Sequence, residues 1–365
     1  MKNVAVFFGG TSVEHDVSVI TGVLTVNTLD KSSYNAVPVY VAEDGKWYYD
    51  EILKDIDVYK NLNVKKLKRV VLAAGDNVLY RMKKNRLTPV FPISAVINCL
   101  HGERGEDGSL AGYVNMCGIS FASPSIAASA IGMDKVLTKK FLKGLGVKTL
   151  PYVCVRKLSD CNEAIKKLGF PVIVKPACLG SSIGINRAGN AEELTDALNS
   201  AFRFGEKAIV EKLLTGFIEI NCAAYRTVGG KIAVSPCERP MGKEEILSFE
   251  DKYTSGKREF PADIPENVSS KIRSITEKIY SELDCLGPIR ADFMISGDEV
   301  YLNEINTVPG SLAYYLFCNT LKDFSSVLDQ TVTLAEKKFA VTKTLQKTYK
   351  SSILNLEGAK SSKRL

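Results

Sequence analysis

With 365 residues, 45% hydrophobic and 24% charged, the chain has the composition of an ordinary globular protein, long enough for two or three domains. No apolar run is long enough to span a bilayer, and two histidines and nine scattered cysteines without C-x-x-C spacing argue against structural zinc and for reduced thiols in a cytoplasmic setting. The formal charge of +7 is not a nucleic-acid signature: from Lys337 to Leu365 eight basic residues face Glu357 alone, so this Lys/Ser/Thr-rich end carries the excess.

The chain opens on the β-branched run NVAVFF (3 to 8), a strand rather than the core of a signal peptide. Further strands are predicted at AVPVYVA (36 to 42) and SAVINCL (94 to 100), with helices near 15 to 29 and 109 to 117, which together read as a parallel, Rossmann-like opening domain. A second block, about 122 to 213, holds a helix MDKVLTKKFLKGLG, a strand TLPYVCV, a helix near 160 to 168, and a strand PVIVKPA that runs into CLGSSIG. The third block has strands near 217 to 225, 231 to 235, 288 to 295 and 299 to 305. Between them Val268, Ile272, Ile275, Ile279 and Leu283 recur at helical spacing up to Gly287 and Pro288.

Three motifs carry chemistry. In LNEINTVPG (302 to 310), Glu304 and Asn306 sit two apart on a predicted strand, so both point to one face. Two hard oxygen donors there suit Mg2+, and a solvated strand face is the alternative reading. In VIVKPACLGSSIGI (172 to 185), Gly180 and Gly184 permit a tight loop over phosphate, with Ser181 and Ser182 hydroxyls and the Lys175 charge beside it. A second lysine, Lys135, lies in GMDKVLTK, and AIVEKLLTGFIEINCA places Glu211 and Glu219 where an adenine amine and ribose hydroxyls could be held. Neither GLGVKT (144 to 149) nor FFGGTSVEHD has the spacing of a P-loop or a dinucleotide fingerprint.

The segments GGTSVEHDVSVIT, NCLHGERGEDGSLAGY, SAIGMDK, VIVKPACLGSSIG, EDKY, RADF and NEINTVPG follow one another in an order and spacing similar to the D-alanine:D-alanine ligases of the ATP-grasp superfamily, over roughly residues 3 to 316. The resemblance implies an α/β, three-domain ATP-grasp fold: a Rossmann-like domain at 1 to 121, a central subdomain at 122 to 213, a C-terminal subdomain at 214 to 340, and a basic tail at 341 to 365. It implies ATP-driven joining of two D-alanines for peptidoglycan precursors through an acyl phosphate, with two Mg2+ ions (Mn2+ able to substitute), small-molecule partners only, and a homodimer.

The roles that follow from the resemblance are specific. Asp292, Glu304 and Asn306 would hold the metal ions. Lys135 and Lys175 would bind the α- and β-phosphates and Lys252 the γ-phosphate, with Ser181, Ser182, Glu211, Lys212, Leu214, Glu219 and Asn303 completing the nucleotide site. Glu219 is offset, because GFIEINCA is one residue longer than the usual run before that acid. Glu14 would bind the ammonium of the first D-alanine, and Arg290 with the Gly310 N–H would form an oxyanion hole. Tyr253, on a loop at 242 to 259 that closes over ATP, would bond Ser181, which would bond Glu14. His101 would contact the second substrate and His15 would orient the turn after the first strand. Ser311, Tyr315 and Leu316 would line the second subsite. Tyr315 departs from the family's small serine and is expected to alter acceptor preference, toward D-serine for instance, while Tyr253 favours an amine over D-lactate. A ligase for another acceptor or a catalytically silent nucleotide binder are the alternatives.

Overall fold

Residues Val4 to Phe8 are apolar without interruption and fully buried, as a strand covered on both faces requires. They form the middle of β1 (Lys2–Gly9), which leads through α1 (His15–Thr28) to its parallel neighbour β2 (Tyr34–Val41). The structure is a computed structural model that describes residues 1–84, 86–241 and 257–352.

After β2 the chain departs from the all-parallel arrangement expected. The strands β3 (Trp47–Tyr49), β4 (Lys68–Ala73), β5 (Asp76–Lys83) and β6 (Arg86–Pro92) add antiparallel, one after another. Parallel pairing resumes on the other side of β1 with β7 (Ala95–Asn98), which connects through α2 (Ser109–Met116) to β8 (Ser120–Phe121). The result is one eight-stranded sheet in the order β6-β5-β4-β3-β2-β1-β7-β8. The antiparallel half has little of the continuous apolar character of β1, because parts of it face water: on β5 only Leu79 is fully covered.

Next come α3 (Ile126–Met133) and α4 (Lys135–Gly144), followed by a sheet of β9 (Tyr152–Val155), β10 (Val172–Pro176), β11 (Asn186–Ala188) and β12 (Ala208–Lys212), with α5 (Cys161–Leu168) and α6 (Ala191–Phe202) packed on it. A third sheet, ordered β14-β13-β17-β18, is built from β13 (Ile218–Arg226), β14 (Ile232–Val234), β17 (Ile289–Ser296) and β18 (Glu299–Asn306). The short pair β15 (Arg239–Pro240) and β16 (Arg258–Glu259) is a separate two-stranded sheet joined to β13 through the Asn221–Glu238 bridge, and α7 (Glu266–Glu282) covers the third sheet. Ile272 and Ile279 of the predicted stripe are fully buried there, and Val268 and Ile275 pack beside them.

The final helix, α8 (Leu321–Thr344), runs through the expected boundary at 340 and is closed at its N-terminus by a capping box of Thr320 and Asp323. Its buried residues Phe324, Val327, Leu328 and Val332 belong to the core that contains Val4, Val6 and Phe8, so the chain end returns to the first sheet. The basic residues Lys337, Lys338 and Lys343 are helical rather than part of a loose tail, and Lys338 pairs with Asp284. Packing of α1 on β1 depends on Gly22, where a Cβ would stand 2.2 Å from Phe8. All nine cysteines are free, and no helix among the described residues is long and apolar enough to cross a membrane.

Candidate active site

Between the second and third sheets lies a cavity of about 710 Å³, its open mouth included. Cross-strand register fixes two of its charges: Ile173 pairs with Glu211 across β10 and β12, so Lys175, two residues on, shares the face of Glu211. The third sheet contributes Asn303 and Glu304, neighbours that regular alternation would send to opposite faces. Both line the cavity because β18 is bulged, with Asp292 opposite Glu304 but Phe293 opposite Leu302, which leaves Asn303 as the extra residue. Lys135 enters from the first turn of α4, whose N-terminus is capped by Asp134 Oδ1 accepting from the Val136 and Leu137 N–H groups at 2.9 and 3.2 Å. Its ammonium donates to the Leu179 carbonyl at 2.6 Å and lies 3.7 Å from Glu304. Leu150, Ile173, Leu214, Phe217 and Met294 give apolar walls, and Glu219 and Ser182 complete the polar lining. This combination suits a flat base with a polyanionic tail.

Glu211 is almost fully buried between two lysines, with Oε1 2.7 Å from Lys139 and Oε2 2.8 Å from Lys175. Burial alone would raise its pKa; the charges of Lys175 and Lys139 outweigh that and hold it at about 2. Lys175 also donates to Asn303 Oδ1 at 3.1 Å.

A second cavity, of about 620 Å³, shares Lys135, Leu179, Gly180 and Glu304 with the first. Ser181, at a left-handed φ of 54°, donates to Glu14 Oε1, joining the second sheet's loop to the start of α1. Glycine at 180 lets the loop approach Glu14 closely, because a Cβ there would come within 2.9 Å of both Glu14 oxygens and push the carboxylate aside. His101 lines the same space with Nε2 3.0 Å from Thr21 Oγ1, and that hydroxyl accepts from the Ser311 N–H at 3.0 Å. Burial, and then the Arg290 charge, push the His101 pKa down to about 3, so its ring is neutral at pH 7. Glu106 is also buried here, accepting from Gly102 N–H at 2.9 Å and Val308 N–H at 3.0 Å. Burial and the neighbouring Glu14 raise it to about 8. Outside the cavity, His15 donates from Nδ1 to the Gly10 carbonyl at 2.6 Å and so braces the turn after β1.

Arg290 lines this second cavity and is held from behind. Its Nε and Nη2 donate to Asp292 at 2.6 and 2.8 Å, and its Nη1 lies 3.3 Å from the Tyr315 hydroxyl. Asn306 Nδ2 donates to Asp292 Oδ2 at 2.9 Å, so Asp292, Asn306 and Arg290 form one network beside Glu304. Among the described residues no group of three or more His, Cys, Asp or Glu side chains converges as a metal cage. Two carboxylates and an amide do fit a hard divalent cation of the Mg2+ type, which takes few protein ligands and fills its shell with phosphate and water oxygens.

Most of the predicted site residues line one of the two cavities: Lys135, Lys175, Ser182, Glu211, Leu214, Glu219, Asn303 and Glu304 the first, and Glu14, His101, Ser181, Arg290, Asn306 and Gly310 the second. Asp292 lies behind Arg290, and four others stand elsewhere. Lys212 directs its ammonium to the Phe170 carbonyl at 3.0 Å. Leu316 is core, packed with Ala223 and Ala313. Ser311 meets Thr21 through its N–H, and among the described residues Tyr315 reaches the site through Arg290. Lys252 and Tyr253 fall outside the described residues. Sequence reasoning passed over Glu106, inside the quoted HGERGEDG, and Lys139, one helical turn beyond Lys135; the i, i+4 spacing was the available signal.

Comparison with known proteins gives a consistent picture. Family models described as D-ala D-ala ligase N-terminus and D-ala D-ala ligase C-terminus match residues 3–124 and 141–332. A D-alanine--D-alanine ligase of Thermosipho melanesiensis is 33% identical over 353 residues, covering 93% of this chain and 95% of the relative. The crystal structure of a D-Alanine-D-Alanine Ligase from Helicobacter pylori superposes with a TM-score of 0.75 at 30% identity, over 90% of this chain and 98% of that one. The VanG D-Ala:D-Ser ligase from Enterococcus faecalis gives a TM-score of 0.77 at 26% identity, over 92% and 99%.

Proposed function

The chain belongs to the D-alanine–D-alanine ligase family, and on that premise we propose that it joins two D-alanines in an ATP-dependent reaction, supplying the dipeptide for peptidoglycan. One observation carries the reading: a base-and-polyanion cavity and a small polar cavity meet at Lys135, Glu304, Leu179 and Gly180. A γ-phosphoryl group and an amino-acid carboxylate can therefore share one junction.

In this reading adenine lies between the apolar walls with its amine toward Glu211, ribose is near Glu219, and Lys135 and Lys175 take the phosphates. Glu14, oriented by Ser181, binds the ammonium of the first D-alanine. A carboxylate oxygen of that first D-alanine attacks the γ-phosphorus, giving the D-alanyl phosphate, and ADP leaves. The amine of the second D-alanine then attacks the acyl carbon, a proton is lost from nitrogen, and phosphate departs. Arg290 and the Gly310 N–H stabilise the oxyanion between these steps. Asp292, Glu304 and Asn306 would hold two Mg2+ ions, with Mn2+ able to replace them, and bound metal would neutralise phosphate charge during transfer. A homodimer and a cytoplasmic setting are expectations from family resemblance.

A second reading, D-serine as acceptor, has the likeness to the D-Ala:D-Ser ligase in its favour, while Tyr315, which meets Arg290 and does not line the cavity, gives it no support. A silent nucleotide binder is disfavoured because each expected metal and phosphate position among the described residues carries a competent side chain. Phosphate release and product mass with ATP, Mg2+ and a panel of D-alanine, D-serine, glycine and D-lactate test all three. D-alanyl-D-alanine as the main product is expected; ADP formation without a dipeptide would refute the ligase reading.

A further inference from the structure

Glu211 is shared by two lysines that differ in one respect. Lys175 lines the nucleotide cavity and also bonds Asn303, whereas Lys139 does not line it. Lys139 is 2% exposed, its ammonium sits 5.6 Å from the centre of the Tyr152 ring and 3.5 Å from the Leu150 carbonyl, and its one carboxylate partner among the described residues is Glu211. Both lysines lie at ion-pair distance, Lys139 2.7 Å from Oε1 and Lys175 2.8 Å from Oε2, and Oε2 is a buried acceptor that completes no hydrogen bond among the described residues.

We propose that Lys139 is a positioning residue for the nucleotide: as the standing counter-ion of Glu211, it allows Lys175 to turn to the polyphosphate and leaves Oε2 for the base amine. The inference rests on the cavity being the ATP site. Its physical basis is that a buried carboxylate stripped of its last partner is strongly unfavourable. If Lys175 were the sole partner, phosphate could recruit it only by abandoning Glu211. With Lys139 fixed behind, Glu211 stays paired while Lys175 exchanges one anion for another. The α4 helix provides both parts of this arrangement, since Lys135 and Lys139 are one turn apart: the first enters the cavity and the second supports its floor.

The test is calorimetric titration of ADP with Mg2+, and separately of adenosine, into full-length wild type, Lys139→Met, Lys139→Arg and the double variant Lys139→Met/Glu211→Gln, with melting temperatures alongside. In Lys139→Met, Lys175 stays on Glu211, so the ADP-to-adenosine affinity ratio is expected to fall about tenfold, a coupling readable as a difference in Kd. The arginine variant should keep most of the ratio. The double variant removes the charge that traps Lys175 and should recover it, and it should fold because both members of the buried pair become neutral. Equal weakening of ADP and adenosine, or no recovery in the double variant, would reduce Lys139 to a structural ion pair and overturn the inference. Failure of the wild type to bind ADP would instead overturn the ATP-site reading beneath it.

Discussion

Tyr315 was expected to line the acceptor subsite, but among the described residues its hydroxyl meets Arg290 at 3.3 Å and its ring lies 5.0 Å from the Arg258 guanidinium. Removing the hydroxyl in Tyr315→Phe takes one hydrogen bond from a charged group, ordinarily worth roughly 1.5–3 kcal/mol. This one is long, and Arg290 keeps both bonds to Asp292. The expected loss is therefore about 1 kcal/mol, or about fivefold in rate. Tyr315→Ser also loses the ring under Arg258, adding about 0.5–1 kcal/mol. Because Arg290 is assigned to the transition state, kcat and kcat/KM for the acceptor should fall together in both variants. Steady-state kinetics with D-alanine and D-serine, each varied at saturating ATP, decides the matter. A change confined to the acceptor KM would show that Tyr315 touches the acceptor itself, and unchanged kinetics would show that the Arg290 contact has no role.

Glu304→Gln removes one of two carboxylates near the expected metal position and the partner of Lys135 at 3.7 Å, so turnover should collapse at every Mg2+ concentration; normal phosphate release at high Mg2+ would contradict the assignment. His101, with a folded pKa of about 3 against 6.5 for the free side chain, contributes stability that is full above about pH 6.5 and is lost as pH falls toward 3. Urea denaturation should therefore show His101→Gln losing less stability than wild type between about pH 7 and 4, and parallel pH profiles would refute this. Gly22→Ala forces a methyl against Phe8 at 2.2 Å and should cost about 1–3 kcal/mol; an unshifted thermal transition would mean that α1 moves away from β1 at little cost.

Local pattern was enough to predict β1, β2, β10, β13, β17 and β18 to within a few residues, and the stripe that forms α7, because hydrophobic periodicity is a property of a short stretch of chain. The pairing of Glu304 with Asn306 was legible for the same reason. Where separate stretches meet was not. The antiparallel half of the first sheet went unread because its partly solvated strands lack the apolar run of β1. The return of α8 to the first core was hidden because its partners Val4, Val6 and Phe8 lie more than three hundred residues earlier. Asn303 reaches the cavity only because a one-residue bulge breaks the alternation of β18, and bulges leave no periodic trace. Lys139 illustrates the same division: its sequence spacing placed it on the face of α4 that carries Lys135, but only the packing of α4 against β12 put Glu211 at its tip. Composition and periodicity determined the elements and the chemistry they carry, while long-range packing decided which of those groups share a space, since that depends on faces far apart in the chain.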